Sequence, residues 1–155
     1  MITALRRFYR RTFCSVARAT FLELFERCTN LSRAIMLEET SPLAGIVVTY
    51  FWQEFPESCR LVIREVNLKK KIERTITQRN LPKPEFADVL EQIEKAGGAD
   101  LGNFSGKVID GVFYSLYWGA PSGLVSLSIK NPQSGSERHQ RLIMALKKRA
   151  TETSQ

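Results

Sequence analysis

The stretch from Val108 to Arg149 restricts the fold of this chain more than any other part of the sequence. An apolar segment, Val112 to Trp118, is followed by a Gly-Ala-Pro-Ser-Gly connection and by Leu124 to Lys130, where apolar and polar residues alternate. Such alternation predicts a strand with one buried and one wet side, which is typical of an antiparallel sheet. Ser134 to Glu137 has the Ser-x-x-Glu spacing of a helix start, and apolar residues then recur at helical spacing. The stretch therefore predicts a strand, strand, helix unit.

The preceding segment shows the same order of elements. Strands are predicted from about Leu43 to Gln53, Cys59 to Val66 and Ile72 to Gln78, and the first of them is apolar on both sides, as expected for a central strand. A helix over about residues 84 to 96 follows, with Pro84 in its first turn and Gly97-Gly98 at its end. Strands followed by a helix, occurring twice, predict a single α+β domain with an antiparallel sheet of about five strands and two helices on one face.

The N-terminal region is basic and apolar at a rough helical period. Five arginines precede the first acid, Glu23, so residues 1 to 36 are predicted as a basic amphipathic helical region, with the α+β domain over residues 37 to 150 and a polar tail over 151 to 155. Three interpretations stay open for the arginines: a folded helix with solvated charges, a mitochondrial targeting segment, or a helix on an anionic membrane surface through residues 1 to 22. The expected location is cytoplasmic, or mitochondrial if the source is eukaryotic.

Composition indicates a soluble globular protein. The chain has 155 residues, 43% apolar and 25% charged, which suits one domain with a real core, and no run of about 18 apolar residues predicts a membrane span. The net charge of +7 is distributed in blocks; residues 60 to 83 hold eight bases and two acids. Blocks of like charge favour charged patches on the folded surface.

No motif for catalysis, metal binding or phosphate binding is present, so we expect no catalytic residue, metal or cofactor. His139 is the only histidine and is expected to pack against the helix core with one hydrogen bond. The cysteines, at positions 14, 28 and 59, are expected to be free thiols in a reducing compartment. Carboxylates that are close in sequence are expected to be solvated or to cap turns; they are Glu38 with Glu39, Glu54 with Glu57, and Asp100 with Asp110.

The strongest surface feature is the basic block. Its candidate binding residues are Arg64, Lys69, Lys70, Lys71, Arg74 and Arg79. Lysine and arginine there would suit an acidic protein surface or nucleic-acid phosphates, although charged clusters also protect sheet edges. Trp118, beside the Gly119 to Gly123 loop, is expected to be exposed as an interface anchor. If the sheet face opposite the helices carries Arg60, Arg64 and Trp118 together, that face is the expected binding surface.

The absence of recognisable chemistry favours a non-enzymatic binding module, for example an inhibitor or immunity-like protein that engages an acidic partner protein. The alternative is a nucleic-acid-binding accessory protein that uses residues 60 to 83. A third class is an enzyme whose catalytic residues are dispersed along the chain.

Overall fold

The computed structural model describes residues 17–106 and 111–152 of the chain. Within these residues, three α-helices occupy residues 17–27 (α1), Pro84–Lys95 (α2) and Glu137–Glu152 (α3). The strands are Arg33–Ser41 (β1), Ile46–Glu54 (β2), Cys59–Asn67 (β3), Ile72–Leu81 (β4), Phe104–Ser105 (β5), Phe113–Gly119 (β6) and Val125–Lys130 (β7). Two short 3-10 helices, Gly98–Leu101 and Pro132–Ser134, lie in the connections.

All seven strands belong to one sheet, in the order β4-β3-β2-β1-β6-β7-β5. Neighbouring strands are antiparallel, except that β5 runs parallel to β7. The first four strands follow one another through hairpin turns, whereas β6 pairs with the free side of β1 through Ile35↔Trp118. β1 is therefore in the middle of the sheet, and β4 is one of its two edges.

Helices pack on both faces of the sheet. The first, here called the α2/α3 face, packs Ile35, Trp52, Leu61, Leu116 and Ile129 against α2 and α3. The helices contribute Phe86, Val89 and Ile93 from α2, and Leu142, Ile143 and Leu146 from α3. The second, here called the α1 face, packs Ala34, Met36, Phe51, Val62 and Tyr117 against Ala17, Phe21 and Leu24 of α1.

The predicted fold class is confirmed in its coarse form, because the domain is α+β and two helices pack on one face after the strands. The finer prediction differs from the structure. The sheet has seven strands instead of about five, it is mixed, and a third helix lies on the opposite face. The predicted basic helical region is not confirmed, since residues 1–16, with four of its arginines, lie outside the described residues.

Strand β1 corrects the predicted N-terminal boundary. Arg33–Met36 were predicted as part of a helical region, but they begin β1. Alternate residues of β1 point to the two covered faces, Ala34 and Met36 toward α1 and Ile35 and Leu37 toward the other core. A strand buried on both sides has a continuous apolar run instead of an alternating one, so its period is not visible in the sequence.

The start of α3 also differs from the prediction. The helix begins at Glu137, and the Oγ of Ser136 accepts a hydrogen bond from the backbone N–H of His139 at 3.4 Å. Ser134 lies in the preceding 3-10 helix. The residue that caps the helix is therefore Ser136, two positions later than the Ser-x-x-Glu spacing predicted.

The last residue of β6 is a glycine that no other residue should replace without cost. Gly119 has φ +117°, and a Cβ added there would lie 2.3 Å from the carbonyl oxygen of Gly123. We expect Gly119→Ala to lower the free energy of unfolding by about 2 kcal/mol, measured by urea denaturation. Gly123→Ala is the matched control, because an added Cβ there meets no heavy atom within 4 Å. Equal effects of the two substitutions would contradict this interpretation of the loop.

Candidate partner-binding groove

The predicted binding residues are not gathered in one patch. Arg64 lies on the α1 face, where it pairs across the sheet with Thr49. Lys69, Lys70 and Lys71 occupy the exposed turn between β3 and β4. Arg74 and Arg79 of β4 pair with Glu65 and Leu61 of β3, on the opposite side of the sheet from Arg64.

Trp118 is not an exposed interface anchor. Its side chain is 5% exposed and belongs to the core under α2 and α3. Side chains alternate along a strand, so Trp118 shares the inward side of β6 with Tyr114 and Leu116. The predicted exposure of Trp118 is therefore wrong, and this residue lies on the opposite sheet face from Arg64.

Several bases of the block have partners within the protein. Arg74 forms an ion pair with Glu65 at 2.9 Å, and Arg64 lies 3.6 Å from Glu73. Lys69 donates a hydrogen bond from its Nζ to the carbonyl oxygen of Leu43 at 2.7 Å. Part of the positive charge of residues 60–83 is therefore compensated locally.

A groove of about 150 Å³ lies on the α1 face, between α1 and strands β2 to β4. It is lined by Thr20, Glu23, Leu24, Arg27, Cys28, Phe51, Gln53, Arg60, Val62, Arg64, Thr75 and Gln78. Leu24, Phe51 and Val62 give it an apolar floor, since they belong to the core beneath α1. Its charged groups are three guanidinium groups and one carboxylate, so the groove is cationic with an apolar base.

Arg60 is held in a fixed position at this groove. Its Nε donates to Oε1 of Gln53 at 2.7 Å, and its Nη2 lies 3.7 Å from Sγ of Cys28. Its guanidinium also lies 5.0 Å from the ring centre of Phe55. A guanidinium that is already ordered loses less conformational entropy when it binds a carboxylate.

The other two arginines of the groove are less restrained. Arg64 forms an ion pair with Glu73 at 3.6 Å and lies 5.7 Å from the ring centre of Phe51, and Arg27 forms an exposed i,i+4 ion pair with Glu23 at 3.5 Å. Exposed ion pairs contribute little free energy, so an incoming carboxylate can replace these partners at small cost. Arg27, Cys28 and Gln53 were not among the predicted site residues, because only the packing of α1 on the sheet brings them to Arg60.

His139 has a structural role at the start of α3. It is 6% exposed, and its Nε2 donates to the carbonyl oxygen of Gly102 at 2.8 Å. Its Nδ1 contacts Oγ of Ser136 at 2.5 Å, so the ring makes two side-chain hydrogen bonds, not the single one predicted. The ring also packs on Phe104, with 5.3 Å between ring centres. This Ser–His pair does not line the groove described above.

Cys59 does not resemble an activated nucleophile. Cys59 is fully buried, and burial, with the nearby charges of Glu85 and Glu54, raises the pKa of its thiol to about 12. It is therefore protonated at neutral pH, whereas the thiolate is the reactive form. Cys28 is partly buried, and both residues are free thiols, as predicted for these positions.

One carboxylate pair contains a buried member, Glu38, and another contains a partly buried one, Glu54, which corrects the prediction that they are solvated. Glu38 is 7% exposed, and burial raises its pKa to about 7. Glu39 accepts a hydrogen bond from Nζ of Lys147 at 2.5 Å and contacts the hydroxyl of Tyr114. Burial raises the pKa of Tyr114 well above its usual value, and the charge of Glu39 is the second cause of this increase. Glu54 forms a bidentate pair with Arg33, with both distances 2.8 Å.

Within residues 17–106 and 111–152, no group of three or more His, Cys, Asp or Glu side chains is arranged to hold a metal ion. Over the same residues, no helix combines the length and the apolar character needed to cross a bilayer. No protein-family model matches the chain, and a comparison with curated proteins finds no similar sequence.

Proposed function

We propose that this protein is a non-catalytic binding module that holds an acidic segment of a partner protein in the groove between α1 and β4. The observation that carries the proposal is the ordered guanidinium of Arg60, flanked by Arg27 and Arg64 over an apolar floor. Carboxylates of the partner would meet the three arginines, and an apolar side chain of the same segment would cover Leu24 and Val62. Charge-assisted hydrogen bonds of this kind are among the stronger polar contacts in proteins.

The size of the groove favours side chains of a protein over a small-molecule ligand. Pockets for cofactors and drug-sized ligands measure roughly 300 to 1,000 Å³, whereas this groove measures about 150 Å³. A groove of this volume accommodates one or two side chains from a partner surface. Its polar and apolar groups are mixed, which is usual for interfaces between separately folded proteins.

The distribution of basic residues also favours a protein partner over nucleic acid. A phosphate backbone is a continuous line of charge, and it is matched by basic side chains that lie along one surface. The predicted bases instead lie on both sides of the sheet and in a turn, and two of them have acidic partners. The aromatic residues near the groove, Phe51 and Phe55, lie beneath Arg64 and Arg60, so bases of a nucleic acid could not stack on them without displacing arginine.

The first test is site-specific photo-cross-linking in the source cells. A photoreactive residue at Thr20 or Gln78 lies in the groove, and one at Ser126 lies on an exposed part of β7 as the control. We expect Thr20 and Gln78 to cross-link one protein through an acidic segment, identified by mass spectrometry, and Ser126 not to. Cross-linking that is equal at all three positions would contradict a specific groove.

The affinity for the identified partner is then measured by calorimetry. We expect Arg60→Glu/Arg64→Glu to weaken binding about a hundredfold, because two charge-assisted hydrogen bonds are lost at roughly 1.5 kcal/mol each. The matched control is Arg141→Glu/Lys148→Glu, which changes the net charge equally on the exposed surface of α3. Thr20→Trp leaves every arginine in place and should also weaken binding by filling the groove. Equal affinities of the two charge-reversed proteins would reject the proposal. It would also be rejected if the protein bound generic RNA with a steep salt dependence and the substitutions Lys69, Lys70 and Lys71→Glu abolished that binding.

A further inference from the structure

Two hairpin turns are joined at one end of the sheet. The β1–β2 turn covers residues 42–45, and the β3–β4 turn covers residues 68–71. The backbone N–H of Leu68 donates to the carbonyl oxygen of Gly45 at 2.8 Å, and Nζ of Lys69 donates to the carbonyl oxygen of Leu43 at 2.7 Å. The two turns therefore form one surface, here called the turn patch, which consists of residues 42–45 and 68–72.

Large apolar side chains are exposed on the turn patch. Leu43 is 68% exposed, Leu68 46% and Ile72 54%. In the described part of the chain, only two other large apolar residues are exposed to this degree, Ile76 and Met144. Single exposed apolar residues are common on protein surfaces, but three on two joined turns concentrate apolar surface at one end of the sheet.

The same patch is strongly basic. Lys69, Lys70 and Lys71 are consecutive and exposed, and neither turn contains an acidic residue. Lys71 has φ +53°, so the backbone reverses at the last lysine and leads directly to Ile72 of β4. Apolar and cationic side chains are therefore intermixed at the end of the sheet.

We propose that the turn patch binds an anionic lipid surface. Leu43, Leu68 and Ile72 would enter the boundary between headgroups and acyl chains, and the three lysines would meet the anionic headgroups. Shallow insertion of apolar residues combined with attraction of cations is the usual basis of peripheral membrane binding. The long aliphatic parts of lysine side chains allow the ammonium groups to remain among the headgroups while the leucines are buried.

The composition of the patch favours lipid over protein or nucleic acid. The strongest anchors of protein interfaces are Trp, Tyr and Arg, and Lys is depleted there, whereas this patch has three lysines and no aromatic residue. A nucleic acid would use the lysines but would leave Leu43 and Ile72 in water. Lipid is the partner that uses both kinds of side chain.

Binding at this patch would leave the groove accessible. Gln53 and Arg60 of the groove lie near the ends of β2 and β3 that are farthest from the turn patch. The membrane proposal therefore stands or falls independently of the proposed partner protein.

The test is sedimentation of the full-length protein with phosphatidylcholine vesicles, with and without phosphatidylserine. We expect binding only when phosphatidylserine is present. Lys69, Lys70 and Lys71→Gln should weaken it about a hundredfold, because each lysine near an anionic surface contributes roughly a fivefold gain in affinity. Leu43, Leu68 and Ile72→Ser should weaken it at least about tenfold. The matched control, Lys83, Lys95 and Lys148→Gln, removes three other exposed lysines and should bind as the wild type does.

Three results would overturn the proposal. The first is equal sedimentation with and without phosphatidylserine. The second is vesicle binding that survives both turn-patch variants and is lost when Arg6, Arg7, Arg10 and Arg11 are changed to Gln, which would assign it to the N-terminal arginines. The third is vesicle binding unaffected by the three serine substitutions, together with lysine-dependent binding of generic RNA. Thermal unfolding of each variant establishes that the exposed substitutions leave the fold intact.

Discussion

Replacing Glu38 with Gln is expected to stabilise the folded protein by up to about 3 kcal/mol at about pH 8 and to change little at about pH 4. Glu38 lies on the α1 face of β1, beside Thr49 of β2 and Ser115 of β6. Burial raises its pKa from 4.5 to about 7 in the folded protein. The side chain of Gln is nearly the same size and cannot ionise, so the substitution removes the cost of a buried charge while filling the same space.

The sign of this pH dependence follows from the pKa of Glu38, which is 4.5 in the unfolded chain and about 7 in the folded protein. Below pH 4.5 the carboxyl is protonated in both states, so it imposes no electrostatic cost on folding. Between pH 4.5 and about 7 it ionises in the unfolded chain first, so the free energy of unfolding falls as pH rises. Above that window it is ionised in both states, and the cost stays constant.

The measurement is urea denaturation of wild type and Glu38→Gln at a series of pH values. Glu57→Gln is the control, since Glu57 is exposed. We expect the difference in free energy of unfolding between wild type and Glu38→Gln to grow as the pH rises from 4.5 to about 7. The control should show no such trend. A constant difference between Glu38→Gln and wild type from acid to alkaline pH would mean that Glu38 has an ordinary pKa.

Replacing Arg149 with Met is expected to lower the free energy of unfolding by about 3 kcal/mol. Arg149 of α3 donates to both carboxylate oxygens of Glu85 of α2, at 2.5 and 2.9 Å, and to Asp88 at 3.1 Å. Glu85 is 9% exposed, so removal of its partner leaves a largely buried carboxylate uncompensated. Methionine retains most of the aliphatic contacts of arginine, which limits the loss to the charged group.

A double-mutant cycle separates the charge from the packing. Glu85→Leu added to Arg149→Met should recover most of the lost stability, because an apolar pair in place of a buried ion pair is often close to neutral. Lys148→Met is the control, since the Lys148 side chain is 72% exposed and its ion pair with Glu152 lies on the surface. Equal unfolding free energies for Arg149→Met and Lys148→Met would show that the α2–α3 ion pair adds no stability.

Elements with local signals could be predicted from the sequence. Helix α2 has Pro84 in its first turn and Gly97, at φ +124°, just past its end, and both signals depend only on neighbouring residues. Strand β7 alternates buried Leu127 and Ile129 with exposed serines, so its period is visible in the sequence. The predicted ends of both elements agree with the structure to within a few residues.

Features that depend on distant contacts could not be predicted. β1 is buried on both sides only because α1 covers Met36 while α3 and α2 cover Ile35 and Leu37, and nothing near Arg33 indicates this. The groove depends on the position of α1 against β3, which brings Cys28 to Arg60 across 32 residues. The basic block could be identified by counting charges, but its division between two sheet faces follows from strand register.

The central position of β1 also determines the order in which the chain can complete its sheet. The hairpins β1–β2, β2–β3 and β3–β4 join neighbours in sequence, so they can form while the chain is still being synthesised. The other side of β1 finds its partner only when β6 has emerged, after α2 and β5 have been made. Until then the nascent chain has an unpaired, largely apolar strand edge, which is the kind of surface that associates with other unfolded chains. One edge of β1 therefore stays unpaired until residues 113–119 have been synthesised.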